Sequence, residues 1–234
     1  MVVTLDFICL RLNPDSGQPE VMLQQRQRGP EKGLDALVGG WVWEQPVEEG
    51  GEFDETLDDA VVRIMGQKVG PMPSYLEQVR VEGSLHRDPA LGWSVTIPHL
   101  CLFNRDDTDS LQTREGIRWA PLPSILEGAC PLPYDAFLNK IKYSSLLLYL
   151  LPEKVAVSQI VDAYDTFGIR VTKQTVFSRW VNPGLLVDTG ERKSLSARGQ
   201  ASKLYRLEES SLSYFDSEIG KSYGTRSART TTTD

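Results

Sequence analysis

Charge is distributed along this 234-residue chain in a way that one uniform domain would not produce. Residues 1–139 carry a net charge of -11, residues 140–206 carry +6, and residues 207–234 carry -2. An acidic first part followed by a compact basic segment describes two folded units, of which only the second suits a polyanion. Hydrophobic residues make up 40% of the chain and five are Trp, enough for packed cores and too many for a chain disordered throughout. The longest apolar run, Leu146 to Leu151, is far below the ~20 residues of a membrane span, and Met1 to Leu10 lacks a basic leader region. Cys9, Cys101 and Cys130 are odd in number, with neither CxxC nor His-paired spacing, so the chain reads as a cytoplasmic protein without disulfide framework or zinc site.

The first part alternates between strand and helix signals. Val2 to Leu10 and Val21 to Arg26, joined through Asn13-Pro14-Asp15-Ser16-Gly17, form a predicted hairpin. Phe53 to Val69 has apolar residues at 57, 60, 61, 64 and 65, a helical spacing, with Asp54 and Glu55 as an acidic first turn and Gly70 as terminator. Tyr75 to Val81, Ser94 to Phe103 and Gly116 to Pro121 read as strands, and Tyr134 to Lys142 as a short helix. In the basic segment a helix from a Ser158 cap to Phe167 stops at Gly168, and a second from a Thr172 cap to Val181 stops before Asn182-Pro183-Gly184. Leu185 to Gly190 and Lys203 to Leu207 then supply a two-stranded wing, the order of a winged helix-turn-helix. The tail, residues 208–234, is too poor in apolar residues to fold by this reading and is expected to be disordered.

Ala36-Leu37-Val38-Gly39-Gly40-Trp41-Val42, with Glu55 and Arg63 following, resembles the opening of a Nudix box, G-x5-E-x7-R-E-U-x-E-E-x-G-U with U apolar. In that family the carboxylates of the REUxEE stretch hold a divalent metal against a pyrophosphate. Here Ile64, Gln67 and Lys68 stand at the three metal-binding glutamate positions, and nine extra residues lie between Gly40 and Glu55. A neutral, an apolar and a cationic side chain give hard-cation binding no electrostatic support. Arg118-Trp119-Ala120-Pro121, Leu132-Pro133-Tyr134-Asp135, the two basic-segment helices, Gly184 to Glu191 and Leu204-Tyr205-Arg206 resemble the Nudix-related transcriptional regulators of the NrtR family. The wing departs from that family in having Arg198-Gly199-Gln200-Ala201-Ser202-Lys203 where an Arg-Pro-Ala often stands.

The resemblance covers residues 2–207 and implies an α+β protein: an N-terminal Nudix-like α/β/α sandwich, residues 1–143, that binds an effector, and a winged helix-turn-helix, residues 144–207, that binds DNA. It further implies a homodimeric repressor of NAD-related genes that answers an ADP-ribose-type nucleotide, acts on a double-stranded operator, needs no cofactor and does not contact membrane. Around Thr172 to Val181, Val176, Phe177, Trp180 and Val181 share an apolar arc assigned to the core, whereas Gln174, Thr175, Ser178 and Arg179 form a polar arc able to read base edges. Lys173 in the first turn and Arg192, Lys193, Arg198 and Lys203 in the wing are assigned to phosphates. Effector contacts fall to Gly39, Gly40, Trp41 and Trp43, with Arg26, His86 and Arg87 as cationic partners for a diphosphate. Glu44, Glu48, Glu49 and Glu52 in the insertion read as an acidic loop, not a metal site. The alternatives are a divergent hydrolase of nucleoside diphosphate derivatives that uses those glutamates, and a scaffold that binds only protein.

Purified protein is therefore expected to release no AMP from ADP-ribose or NADH when a divalent metal is added. Release that depends on metal and disappears in the Glu48→Gln and Glu49→Gln variants would establish the hydrolase instead.

Overall fold

The computed structural model describes residues 2–27, 32–43, 55–88, 92–104, 116–122, 132–195, 200–208, 211–215 and 218–219. Its centre is a mixed sheet of seven strands, β1 (Val2–Leu12), β2 (Pro19–Gln25), β3 (Asp35–Trp41), β4 (Tyr75–Gln78), β5 (Glu82–Asp88), β6 (Gly92–Leu102) and β7 (Ile117–Pro121). The spatial order is β4-β6-β1-β3-β2-β7, and β5 also pairs with β6. β1 and β6 run parallel in register from Val2 opposite Ser94 to Leu10 opposite Leu102, while the β1–β2 hairpin is antiparallel as the Asn13 to Gly17 turn demands. Asn13 shapes that turn with its side-chain oxygen, which accepts from the Asp15 and Ser16 amides.

Alternation along β1 divides the molecule into two layers. Leu5, Phe7 and Cys9 point to one face, where Ala60, Val61, Ile64 and Met65 of helix α1 (Leu57–Lys68) cover them. Ile8, Leu10 and Leu12 point to the other, into a core shared with Phe137 and Ile141, the 3-10 segment Ser145–Leu150 and the winged segment as far as Trp180. Apolar residues at helical spacing thus produce α1, but it begins at Leu57, with Thr56 as cap and Asp59 completing a capping box. The expected start at Phe53 with Asp54 in the first turn lies outside the described residues, and Glu55 stands ahead of the helix. Gly70, at φ 108°, stops it, its amide returning to the Met65 carbonyl.

Helix α2 (Leu132–Lys140) leads through the 3-10 segment to α3 (Val157–Thr166) and α4 (Lys173–Val176), which continues as a π-helical turn, Phe177–Val181. Thr172 caps α4 as expected, accepting from the Thr175 amide at 3.1 Å. Ser158 does not cap α3. The helix starts one residue earlier, and the Ala156 amide donates to Gln159 Oε1 at 3.0 Å. β8 (Leu186–Lys193) and β9 (Ser202–Leu207) form the wing. Two strands beyond the sequence reading complete the sheet: β5, and β3 through the Gly39–Gly40 pair.

The tail departs most from expectation. Residues 211–215 and 218–219 lie along the junction between the halves instead of being disordered. Ser145 donates its amide to the Ser213 carbonyl at 2.8 Å, Phe215 donates to the Tyr143 carbonyl at 2.7 Å, and Ile219 donates to the Lys142 carbonyl at 2.6 Å. Ile219 is buried, and Phe215 meets the Trp180 ring edge-on at 4.9 Å. The apolar residues are few but suitably placed: they close a core that the helices leave open over Trp180. The rest of the tail, including 220–234, lies outside the described residues.

Phe215→Ala should lower unfolding stability by about 1–3 kcal/mol, because it removes a half-buried ring that packs on a fully buried one. Urea denaturation followed by Trp fluorescence measures this; an unshifted midpoint would mean that the tail merely rests on the surface.

Candidate functional site

The first candidate site lies where β3 leaves the sheet and α1 crosses it. Gly39 and Gly40 owe their identity to close packing. A Cβ on Gly39 would stand 2.5 Å from the Leu5 carbonyl oxygen and 2.6 Å from Asp6 Oδ1, and one on Gly40 would stand 3.0 Å from Ile64 Cδ1. The two glycines let β3 lie against β1 on one side and receive α1 on the other. Beyond them Trp41 is 57% exposed and Trp43 is 38% exposed.

Arg63 pins this corner. Its Nε and Nη2 donate to the two Glu55 carboxylate oxygens at 2.5 and 3.0 Å, Nη2 also donates to the Trp41 carbonyl at 3.0 Å, and its guanidinium carbon lies 3.7 Å from the Trp43 ring centroid. Glu55 in turn accepts from the Trp43 amide at 3.1 Å. The hydrogen bond from Arg63 holds the Glu55 carboxyl below its ordinary value of 4.5, against the opposing effect of burial. Both side chains are engaged in fixing the Trp41–Trp43 segment.

The three positions where the Nudix pattern calls for glutamate are built for other purposes. Ile64 is fully buried against Gly40, and Gln67 is exposed. Lys68 turns back onto the sheet, where its ammonium donates to Gln24 Oε1 at 2.8 Å and to the Gly39 carbonyl. Desolvation pushes the Lys68 pKa below the usual lysine range, with Asp6 working in the opposite direction. Among the described residues no cluster of three His, Cys, Asp or Glu could hold a metal. An ammonium at the end of α1, where the Nudix pattern has a carboxylate, does not fit a divalent cation.

The other predicted effector residues are partly gathered. His86 and Arg87 belong to β5, whose register of Asp88 opposite Gly92 carries it to the start of β6, and their side chains lie outside the described residues. Thr4 of β1 stands opposite both Trp41 and Thr96, so the start of β6 lies at the same end of the sheet as Trp41. Exposed Trp93 was not foreseen there; only the register between β1 and β6 reveals its position. Arg26 follows β2, where its amide donates to the Leu34 carbonyl at 2.9 Å. Glu44, Glu48, Glu49 and Glu52 lie outside the described residues.

The second candidate site is the outer face of α4 and the wing. Val176 and Trp180 are buried as expected, but Phe177, assigned to the core arc, is 39% exposed and lies edge-on to Tyr205 at 6.4 Å. Phe177 is the first residue of the π turn, which closes with the Asn182 amide donating to its carbonyl at 2.8 Å. Lys173, Gln174 and Ser178 are exposed, Thr175 and Arg179 half-buried. The Thr175 hydroxyl contacts the Thr172 hydroxyl at 2.9 Å and Ser178 Oγ donates to the Thr175 carbonyl at 3.0 Å, so both serve the helix as well. In the wing Arg192 and Lys193 are exposed, whereas Lys203 donates to Asp188 at 2.7 Å. Arg198 lies outside the described residues.

No protein-family model matches the chain. It is 29% identical over 203 residues to the ADPR responsive transcriptional repressor NtrR of Acinetobacter baylyi, a span of 82% of this chain and 77% of that protein. The crystal structure of Shewanella oneidensis NrtR superimposes with a TM-score of 0.78 at 25% identity, covering 94% of this chain and all (100%) of that one. The same protein complexed with a 27mer DNA gives a TM-score of 0.74 at 25% identity, over 93% and 99% of the two chains. The Nudix-type α+β fold and the NrtR-like character read from the sequence are thereby supported over both halves.

Glu55→Gln should destabilise the protein near neutral pH and lose that effect in acid. A carboxyl with a depressed folded pKa contributes stability above its unfolded value of 4.5, and this is lost as pH falls through the folded value. Chemical denaturation of both proteins across this range should show the gap closing; a gap independent of pH would mean that the charge contributes nothing.

Proposed function

We propose that this chain is an NrtR-like DNA-binding transcriptional repressor whose Nudix-like half senses an ADP-ribose-type nucleotide and controls genes of NAD metabolism. The similarity to Shewanella NrtR over 94% of this chain and the whole of that one carries the reading, because it spans the sheet, the junction and the wing together. Sensing without hydrolysis is supported by Ile64 packed on Gly40 and by the Lys68 ammonium at the Gly39 carbonyl.

Residues 1–143 form the effector unit in this reading, with Trp41 and Trp43 available to stack a base or ribose and with Arg26, His86 and Arg87 as phosphate partners. Residues 144–207 form the DNA unit. Gln174, Thr175, Ser178 and Arg179 face base edges, Lys173, Arg192, Lys193, Arg198 and Lys203 face phosphates, and Lys203 must exchange its contact with Asp188 to do so. Two copies in a cytoplasmic homodimer would read a pseudo-palindrome with an avidity that one module lacks. Effector binding alters DNA affinity through unequal affinity for DNA-competent and incompetent arrangements, transmitted by the segment from Tyr143 to Pro152.

Fluorescence anisotropy with a duplex selected from random sequence tests this. Gln174→Ala should cost about 1–3 kcal/mol at the preferred site and relax base preference there. Lys193→Ala should weaken all sequences alike and flatten the salt dependence. Failure to select any duplex removes the DNA-binding reading, and affinity unchanged at saturating ADP-ribose removes the coupling.

A further inference from the structure

Several basic side chains of the sheet half are held by carboxylates. Arg11 meets Glu20, Arg63 meets Glu55, Arg118 meets Asp35 and Lys140 meets Glu77, each as an ion pair. Lys68 differs: its described hydrogen bonds go to a backbone carbonyl and a carboxamide, both neutral. A lysine in the last turn of a surface helix ordinarily extends into water. This one instead bends back onto β2 and β3 and is half-buried. The carboxylate of Asp6 accepts from Thr96 Oγ1 at 2.7 Å and acts on Lys68 through space. An ammonium carries three donors, and the two described bonds leave one for an anionic oxygen.

We infer that the Lys68 ammonium, fixed by the Gly39 carbonyl and Gln24 at the end of α1, is a built-in cation that binds the diphosphate of the effector in place of a divalent metal. The inference rests on the proposed effector-sensing role and adds to it a residue and a mode of charge neutralisation. A metal-dependent site needs carboxylates because a bridging cation must be held from the protein side. Placing the positive charge on the protein removes both the carboxylates and the metal, and the substitutions here do both: Gln67 and Ile64 carry no charge, and Lys68 reverses the sign. Arg63 cannot fill this place, since its guanidinium is taken up by Glu55, the Trp41 carbonyl and the Trp43 ring. The Gly39 carbonyl and Gln24 also hold the ammonium in one position before the ligand arrives, which reduces the ordering cost of binding.

Titration calorimetry of the full chain with ADP-ribose, with adenosine as a phosphate-free probe, decides the matter. Wild-type affinity for ADP-ribose should agree within about twofold between EDTA and Mg2+ buffers. Lys68→Met should weaken ADP-ribose about ten- to a hundredfold and leave adenosine within about twofold, while Lys68→Arg should retain most of the affinity. The inference is overturned if Lys68→Met binds ADP-ribose like the wild type, if it loses adenosine equally, or if wild-type binding collapses in EDTA. That last comparison needs no variant, so it stands even where Lys68→Met fails to fold. Should the wild type bind no ADP-ribose, the sensing role fails on its own account, and inorganic pyrophosphate becomes the probe: binding lost in Lys68→Met upholds the cation site, and no binding to the wild type refutes it.

Discussion

β1 is buried on both faces, and the rest of the molecule is arranged to keep it so. A strand that alternates Leu5, Phe7 and Cys9 with Ile8, Leu10 and Leu12 has no face for water, and each face must find its own cover. Helix α1 covers one. The other is covered by α2, the 3-10 segment and, behind them, α3 and α4, so the sheet half and the winged half meet in one apolar core. Tyr164 marks the meeting point: its hydroxyl, fully buried, donates to the Ile141 carbonyl at 2.9 Å while its ring lies beside Trp180. Two halves joined in this manner cannot rearrange by swinging on a tether. Any motion between them exchanges one packing for another, the kind of two-state element through which a ligand can act at a distance.

The stretch that resembles a Nudix box forms a structural corner. Arg63 and Glu55 satisfy each other and hold Trp41 and Trp43, while the neighbouring position, 64, lies in the core. Ile64 now fills the space that Gly40 leaves. A carboxylate does not suit position 64, where a charge would be buried among Val61, Met65 and Val38 and desolvation would oppose its ionisation. The packing against Gly40 and the want of a charge at position 64 thus belong to one side chain.

Period-two alternation and helical spacing made most of the architecture readable from the chain, and the Thr172 cap and Gly70 stop fixed two boundaries. What escaped was long-range. β3 and β5 give no clear strand signal because glycines and polar residues interrupt them, and their pairing with β1 and β6 makes them strands. The sign of Lys68 was evident in the sequence, but the direction of its side chain depends on Gln24, forty-four positions away. Lys203 read as an exposed wing cation, and its contact with Asp188 needs the hairpin register to be seen. In the tail, Leu212, Phe215 and Ile219 are scattered among polar residues at no regular period, so averaging over a window conceals three anchors that act one by one.

The position of those anchors orders events in time. A chain leaves the ribosome from its N-terminus, and domains generally fold as units as they emerge. The sheet and α1 can therefore assemble early, but the ring that closes over Trp180 belongs to Phe215, and the buried residue beside the junction is Ile219. α4 and its π turn therefore lack their complete support until Phe215 and Ile219 have been made. The core over Trp180 is thus closed only after the sheet, α1 and the wing have all been synthesised.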